Sequence, residues 1–279
     1  MSSPPYGRIV EGDNLSVLRS LQAESVQLVY TDPPFNTGNV RTYQRLRTTQ
    51  DESGDRVGFG GRRYRSETDA SYSYGDAFEE YLEFLAPRLM EIWKVLRADG
   101  SLYLHLDARE VHYVKVALDE MFGRDCFLNE IIWAYDYGGR PRRRWPAKHD
   151  NILVYVKDRE RYVFNREAID RVPYLAPGLV SKEKAERGKL PTDVWWQTIV
   201  GTNAKERTGY PTQKPVALAE RIIRASSDEG ELVLDPFAGS GTVGAAAERL
   251  GRRYLLIDDN PEAVEVMRAR LPQAEVSRP

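Results

Sequence analysis

Apolar residues along this chain fall into short runs set between amphipathic stretches. Val26 to Thr31 is one such run, and it stops abruptly at Asp32-Pro33-Pro34-Phe35. Its length and the breakers that follow predict a buried strand. Similar runs predict strands at Arg8–Glu11, Ser101–Asp107, Asn129–Tyr135, Asn151–Lys157, Glu231–Asp235 and Tyr254–Asp258. Between them the period changes to that of helices. A capping box at Asp76-Ala77-Phe78-Glu79 opens one that carries Phe78, Tyr81, Leu82, Leu85, Leu89, Ile92, Trp93 and Leu96 on one face, with Gly100 as its stop. Others are predicted up to Leu21, over Arg109–Phe122, from Lys214-Pro215-Val216 to Ala225, and from the glycines near 241 to Leu250. Helices alternating with buried strands predict an α/β fold with a doubly wound sheet.

Three stretches break the pattern. Asn39–Ser73 is rich in arginine, interrupted by Gly58, Gly60 and Gly61, and poor in apolar residues. It reads as a long, mobile, mildly basic loop, able to close over a polyanion. Asp136–His149 carries Arg140, Arg142, Arg143, Arg144 and Lys148, interleaved with Tyr137 and Trp145. Cations beside flat rings suit phosphates and unstacked bases. Arg159–Tyr210 is irregular, with Trp195 and Trp196 as its anchors. The expected organisation is one domain in two halves, 1–135 (with the loop 39–73) and 211–279, separated by a DNA-contacting segment over 136–210.

Bulk properties narrow the classes. With 279 residues, the chain suffices for one large α/β domain plus an inserted piece. A net charge of −2 excludes a general polycation, so any nucleic-acid surface must be local. The single cysteine, Cys126, excludes an internal disulfide and a cysteine metal cluster, and three scattered histidines make no zinc site. His105, Asp107 and His149 are read as strand-end packing or solvated loop. No apolar signal core and no membrane-length run occur, so a cytoplasmic protein is expected.

Two local motifs carry chemistry. After Asp32 the prolines stiffen the chain and leave its carbonyls without ladder partners. Asp32 and the Pro33 carbonyl are thus placed to accept both hydrogens of one NH2 group, with the Phe35 ring beside it. The second motif is Asp235-Pro236-Phe237-Ala238-Gly239-Ser240-Gly241-Thr242, completed by Gly244 as G-x-G-x-x-G between a strand and a helix. Asp258 then ends the next strand, where an acid can take both ribose hydroxyls. This half is expected to bind an adenosine-containing cofactor. A nicotinamide-dependent dehydrogenase is the rival reading. Against it stand Asp235, which repels a pyrophosphate and attracts a cation, and the position of the glycines near the C-terminus.

Together, and in this order, Asp-Pro-Pro-Phe at 32–35 and Asp-Pro-Phe-Ala-Gly-Ser-Gly-Thr at 235–242 resemble the amino-group DNA methyltransferases of the circularly permuted β group. Pro211-Thr212-Gln213-Lys214-Pro215 and Gly12-Asp13-Asn14-Leu15 resemble further elements of that group. The resemblance implies a Rossmann-like, seven-stranded, mostly parallel sheet with helices on both faces and a small target-recognition insertion. It implies S-adenosyl-L-methionine as cofactor, held by Asp235 to Thr242, Asp258 and Asn260, with Asp13 and Lys214 close by. Asp32, Pro33, Pro34 and Phe35 would hold a base flipped from double-stranded DNA, and no metal is required. Asp with Phe in the first motif favours adenine N6; the alternative is cytosine N4, and an inactive DNA-binding relative is a further one. A homodimer and a partner restriction endonuclease stay open.

Overall fold

The computed structural model describes residues 6–34, 39–50, 56–57, 63–76 and 81–279. The elements are β1 (Gly7–Glu11), α1 (Asn14–Ser20), β2 (Val26–Thr31), β3 (Asn39–Gln50), β4 (Arg56–Val57), β5 (Arg63–Asp76), α2 (Tyr81–Val95) and β6 (Leu96–Leu106). There follow α3 (Val111–Phe122), β7 (Phe127–Ala134), β8 (His149–Val156), α4 (Lys182–Arg187), β9 (Val194–Trp196), α5 (Val216–Ser226), β10 (Leu232–Asp235), α6 (Thr242–Arg249), β11 (Arg253–Asp258), α7 (Pro261–Arg270) and β12 (Glu275–Ser277).

The main sheet runs β12-β1-β11-β10-β2-β6-β8-β7-β9. Seven strands from β1 to β7 form the expected core, and the three-residue strands β12 and β9 extend it by one at each edge. From β12 to β6 every pairing is parallel; β8 alone runs against its neighbours β6 and β7. Side chains alternate between two cores, as strand geometry demands. Ile9, Leu28, Tyr30, Val233 and Leu256 face α5, α6 and α7, whereas Val10, Val29, Leu234, Leu255 and Ile257 face α1, α2 and α3. Helices on both faces explain why the central strands are apolar throughout rather than alternating.

This topology fixes where a ligand sits. From β10 the chain crosses to β11 on one side; from β2 it crosses to β6 on the other. β10 and β2 are neighbours, so their carboxyl ends flank a topological switch point, the usual binding crevice of open α/β sheets. The Thr31 hydroxyl at the end of β2 donates to Asp235 Oδ1 at the end of β10, 3.1 Å away, and joins the two motifs at that crevice.

Several expectations are corrected. The described residues of Asn39–Ser73 form strands rather than a loop: β3 and β5 pair antiparallel from Asn39↔Asp76 to Gln50↔Tyr64, with β4 on the far side of β5. Its threonines and tyrosines favour strand, but the absence of apolar alternation hid it. The helix expected from the capping box begins, among the described residues, at Tyr81; residues 77–80 lie outside them. It stops at Val95, and Gly100 lies inside β6, where a Cβ would meet the Gln27 carbonyl oxygen at 3.0 Å. Trp195 is buried as predicted, but Trp196 is 77% exposed, because adjacent residues of β9 face opposite ways.

Candidate active site

The crevice at the switch point is a cavity of about 340 Å3, within the range of small-molecule sites. Asp32, Pro33 and Pro34 line it from one side; Asp235 to Ser240, Thr242 and Asp258 to Asn260 line it from the other. The two motifs, about two hundred residues apart in sequence, therefore share one pocket. Phe35 lies outside the described residues.

The glycine loop is shaped by two left-handed residues, Gly239 (φ +48°) and Gly241 (φ +70°). Only Gly239 lines the cavity, and its N–H donates to Asp258 Oδ2 at 2.8 Å. Gly241 turns the chain into α6 instead. A Cβ there would meet Met267 Cγ at 2.8 Å, so this glycine serves close packing rather than the ligand. Asp258 Oδ1 also accepts the Asn260 N–H at 3.0 Å, and the Asn260 side chain caps α7.

Burial governs the two strand-end acids. It raises the Asp235 carboxyl to about 8, against the hydrogen bonds from the Phe237 N–H and the Thr31 hydroxyl. It raises Asp258 to about 6, against the backbone N–H groups of Asn260 and Gly239. Without a ligand, Asp235 therefore holds a proton at neutral pH. The expected attraction of an anionic Asp235 for a cation becomes an exchange of that proton for the cation.

Asp13 differs from expectation. Its Oδ2 accepts the N–H and the hydroxyl of Ser16, at 2.9 and 2.7 Å, and it caps α1. Its neighbour Asn14 lines the cavity and donates to the Pro236 carbonyl at 2.7 Å. Arg88 and Phe84 of α2 also line it; Arg88 donates to Asn14 Oδ1 at 2.6 Å and lies over the Phe84 ring. Tyr210 is a further wall beside Gly239. None of these four was singled out from sequence. The i, i+4 spacing of Phe84 and Arg88 was the available signal, overshadowed by the apolar face of the same helix.

Lys214 lines the same cavity. Its ammonium donates to Asp32 Oδ2, so it reaches the acid of the first motif. The turn that carries it is tightly held. Thr212 has φ +57°, an uncommon left-handed conformation for a β-branched residue. Gln213 Oε1 accepts from the Thr208 N–H and hydroxyl, and its Nε2 donates to the Glu206 carbonyl. Glu206 in turn accepts the Val216 N–H at 2.9 Å, an otherwise orphaned donor of the first turn of α5. Asp32 Oδ1, by contrast, is buried without a hydrogen-bond partner among the described residues. An unsatisfied buried carboxylate oxygen is costly, which marks it as an acceptor awaiting a donor.

β7 leads into, and β8 out of, the loop that holds the basic run. Because β7 pairs antiparallel with β8, which itself opposes β6, this loop emerges at the same end of the sheet as Asp32 and the glycine loop. Arg140, Arg142, Arg143, Arg144 and Trp145 are exposed, Trp145 at 94%. Lys148 is not part of that display: it donates to the carbonyls of Tyr137 and Gly139 and braces the loop. His105 is fully buried between Tyr30 and Asp150 rather than lining the cavity. Among the described residues no cluster suited to a metal occurs, and no helix is long and apolar enough to cross a membrane.

Comparison with known proteins agrees with this geometry. A family model described as DNA methylase, covering N6- and N4-methyltransferases, matches residues 26–269. The type II methyltransferase M.HpaI of Haemophilus parainfluenzae is 33% identical over 95% of this chain and 74% of its own length. The DNA adenine methyltransferase YhdJ of Escherichia coli K12 is 30% identical over 95% of this chain and 83% of its own. Among solved structures, the M1.HpyAVI–SAM complex superposes with a TM-score of 0.60 at 21% identity, covering 95% of this chain and 98% of that one. With both motifs gathered at one crevice and the family model spanning them, the chain belongs to the DNA methylase family of N6- and N4-methyltransferases.

Proposed function

We propose that this protein transfers the methyl group of S-adenosylmethionine to the exocyclic N6 amine of an adenine flipped out of double-stranded DNA. The observation that carries the reading is the unpartnered Asp32 Oδ1, set on a rigid Pro-Pro segment in the same cavity as the glycine loop. Adenine is supported by YhdJ, a relative over 95% of this chain that is named a DNA adenine methyltransferase. The donor is the molecule bound in the M1.HpyAVI complex. Type II relatives also suggest a cognate restriction endonuclease as a functional partner.

Bound S-adenosylmethionine supplies an activated methyl group on a cationic sulfonium. The chain supplies the rest. The glycine loop from Pro236 to Thr242, with Asn14, Asp258 and Asn260, would hold the donor. Asp32 Oδ1 and the Pro33 carbonyl would accept the two N–H groups of the amine. Conjugation ties up that nitrogen's lone pair in the ring, and pulling on both hydrogens draws it toward a tetrahedral, nucleophilic form. Asp32 Oδ1 would take the proton the amine gives up on methylation. The remaining acceleration would come from proximity and alignment of the amine with the donor in the cavity. A stacked base cannot reach Asp32, so extrusion from the duplex precedes the reaction. Arg140, Arg142, Arg143 and Arg144 would hold the phosphates, and the segment 136–210 would read the target sequence.

Four outcomes check this reading. Labelled methyl transfer to duplex DNA, followed by mass analysis of nucleosides, yields N6-methyladenine; N4-methylcytosine alone would replace the base while leaving the cavity assignment intact. Asp32→Ala lowers turnover by on the order of 1000-fold with donor binding retained; wild-type turnover in that variant would contradict it. Calorimetry tests Asp235: above the Asp258 range, between about pH 7 and 9, affinity for the sulfonium donor rises with pH and levels off once Asp235 has lost its proton, while uncharged S-adenosylhomocysteine gains less. Equal slopes for the two ligands would contradict the exchange. Finally, each of Arg142, Arg143 and Arg144 changed to Ala makes the dependence of log Kd on log salt shallower by about one unit; an unchanged slope would remove this loop from the DNA interface.

A further inference from the structure

We propose that Lys214 and Asp150 are positioning residues for methyl acceptance: Lys214 holds Asp32 turned with its second oxygen free for the amine, and Asp150, through His105 and Tyr30, braces the strand that leads to Asp32. The inference rests on the function proposed above and assigns Lys214 to the acceptor side of the site rather than to donor binding.

The geometry is specific. Lys214 is buried and donates to Asp32 Oδ2, leaving only Oδ1 unpartnered. A carboxylate free to rotate about its Cβ–Cγ bond would spend its time in orientations useless for an in-line transfer. Fastening one oxygen removes that freedom before the base arrives, and preorganisation of this kind is worth most inside a cavity. Lys214 is itself fixed from both ends. Its carbonyl accepts the Thr242 hydroxyl at 3.1 Å, which ties its backbone to the glycine loop.

Its charged end also acts on Asp150, at the start of β8. Burial alone would raise the Asp150 carboxyl, but its hydrogen bonds from His105 and the Tyr135 hydroxyl, with the positive charges of His105 and Lys214 in its surroundings, hold it below the usual carboxylate range. Asp150 Oδ2 accepts from His105 Nε2 at 3.1 Å and Oδ1 from the Tyr135 hydroxyl at 3.2 Å, so the acid cannot swing away. His105 Nδ1 meets the Tyr30 hydroxyl at 3.2 Å, in the strand that leads to Asp32 two residues on. The buried histidine, inert when read from sequence alone, thus links Asp150 to that strand. Removing Asp150 would free His105 beneath Tyr30 and take a negative charge from the surroundings of Lys214, leaving Asp32 less firmly held.

The test compares wild type, Lys214→Met, Lys214→Arg, Asp150→Asn and the Lys214→Met/Asp150→Asn double variant, with methyl transfer at saturating donor and duplex, donor affinity by calorimetry, and thermal unfolding. Lys214→Met lowers kcat by on the order of 100-fold and Asp150→Asn by about 10-fold, both with donor Kd changed less than about 3-fold. Lys214→Arg restores part of the loss. The double variant is no slower than Lys214→Met, because both changes break one unit. Losses that multiply in the double variant overturn the proposal. So does a Lys214→Met protein with wild-type kcat and weakened donor binding, which would make Lys214 a donor ligand. Should Asp150→Asn fail to fold, the two Lys214 variants still decide. A wild-type protein without methyl transfer brings down the functional reading and this inference with it; an active wild type with unaffected Lys214→Met brings down this inference alone.

Discussion

The ion pair between Lys214 and Asp32 joins residues 182 positions apart, both lining the cavity. It is possible only because β2 and β10 are neighbours in the sheet and because the Thr212–Pro215 turn presents its lysine across that boundary. Remove the adjacency of those two strands and the halves of the site separate. The Thr31–Asp235 hydrogen bond reinforces the same boundary from below, between the last residues of the two strands. What the fold supplies is a seam at which an acid from each side is held by a fixed partner, Asp32 by Lys214 and Asp235 by Thr31.

That seam is unequal in charge and solvation. Asp235 and Asp258 are buried enough for burial to raise both, whereas Asp32 is held by an ammonium. The donor side therefore favours a ligand that brings positive charge, and the acceptor side offers a single free carboxylate oxygen. A neutral amine and a cationic methyl donor satisfy both conditions at once. The dehydrogenase reading is set aside by the match of residues 26–269 to the DNA methylase family.

Much of this was legible from the chain because the two motifs are local. Asp32 with its prolines and Asp235 with its glycines each announce a strand end, and strand ends line the crevice of an α/β sheet. Relations between distant segments were not legible. Nothing within Pro211–Pro215 says that its lysine meets Asp32, and Asp13, an acid near the right place, proves to be a helix cap while Asn14 reaches the cavity. The ribbon of β3 and β5 was missed because a strand without an apolar face leaves no period to detect. His105, read as strand-end packing, is indeed buried near the end of β6, but its place between Tyr30 and Asp150 cannot be read from a single residue type.

The central claim is that Asp32 Oδ1 receives the amine of an extruded base while the donor lies against the glycine loop. A crystal structure with duplex DNA and a non-reactive analogue of S-adenosylmethionine tests it most directly. The account predicts an adenine out of the helix, its N6 within hydrogen-bond distance of Asp32 Oδ1 and the Pro33 carbonyl, and Lys214 still on Asp32 Oδ2. A base amine bound elsewhere, or a donor whose reactive centre lies away from Asp32, would contradict it.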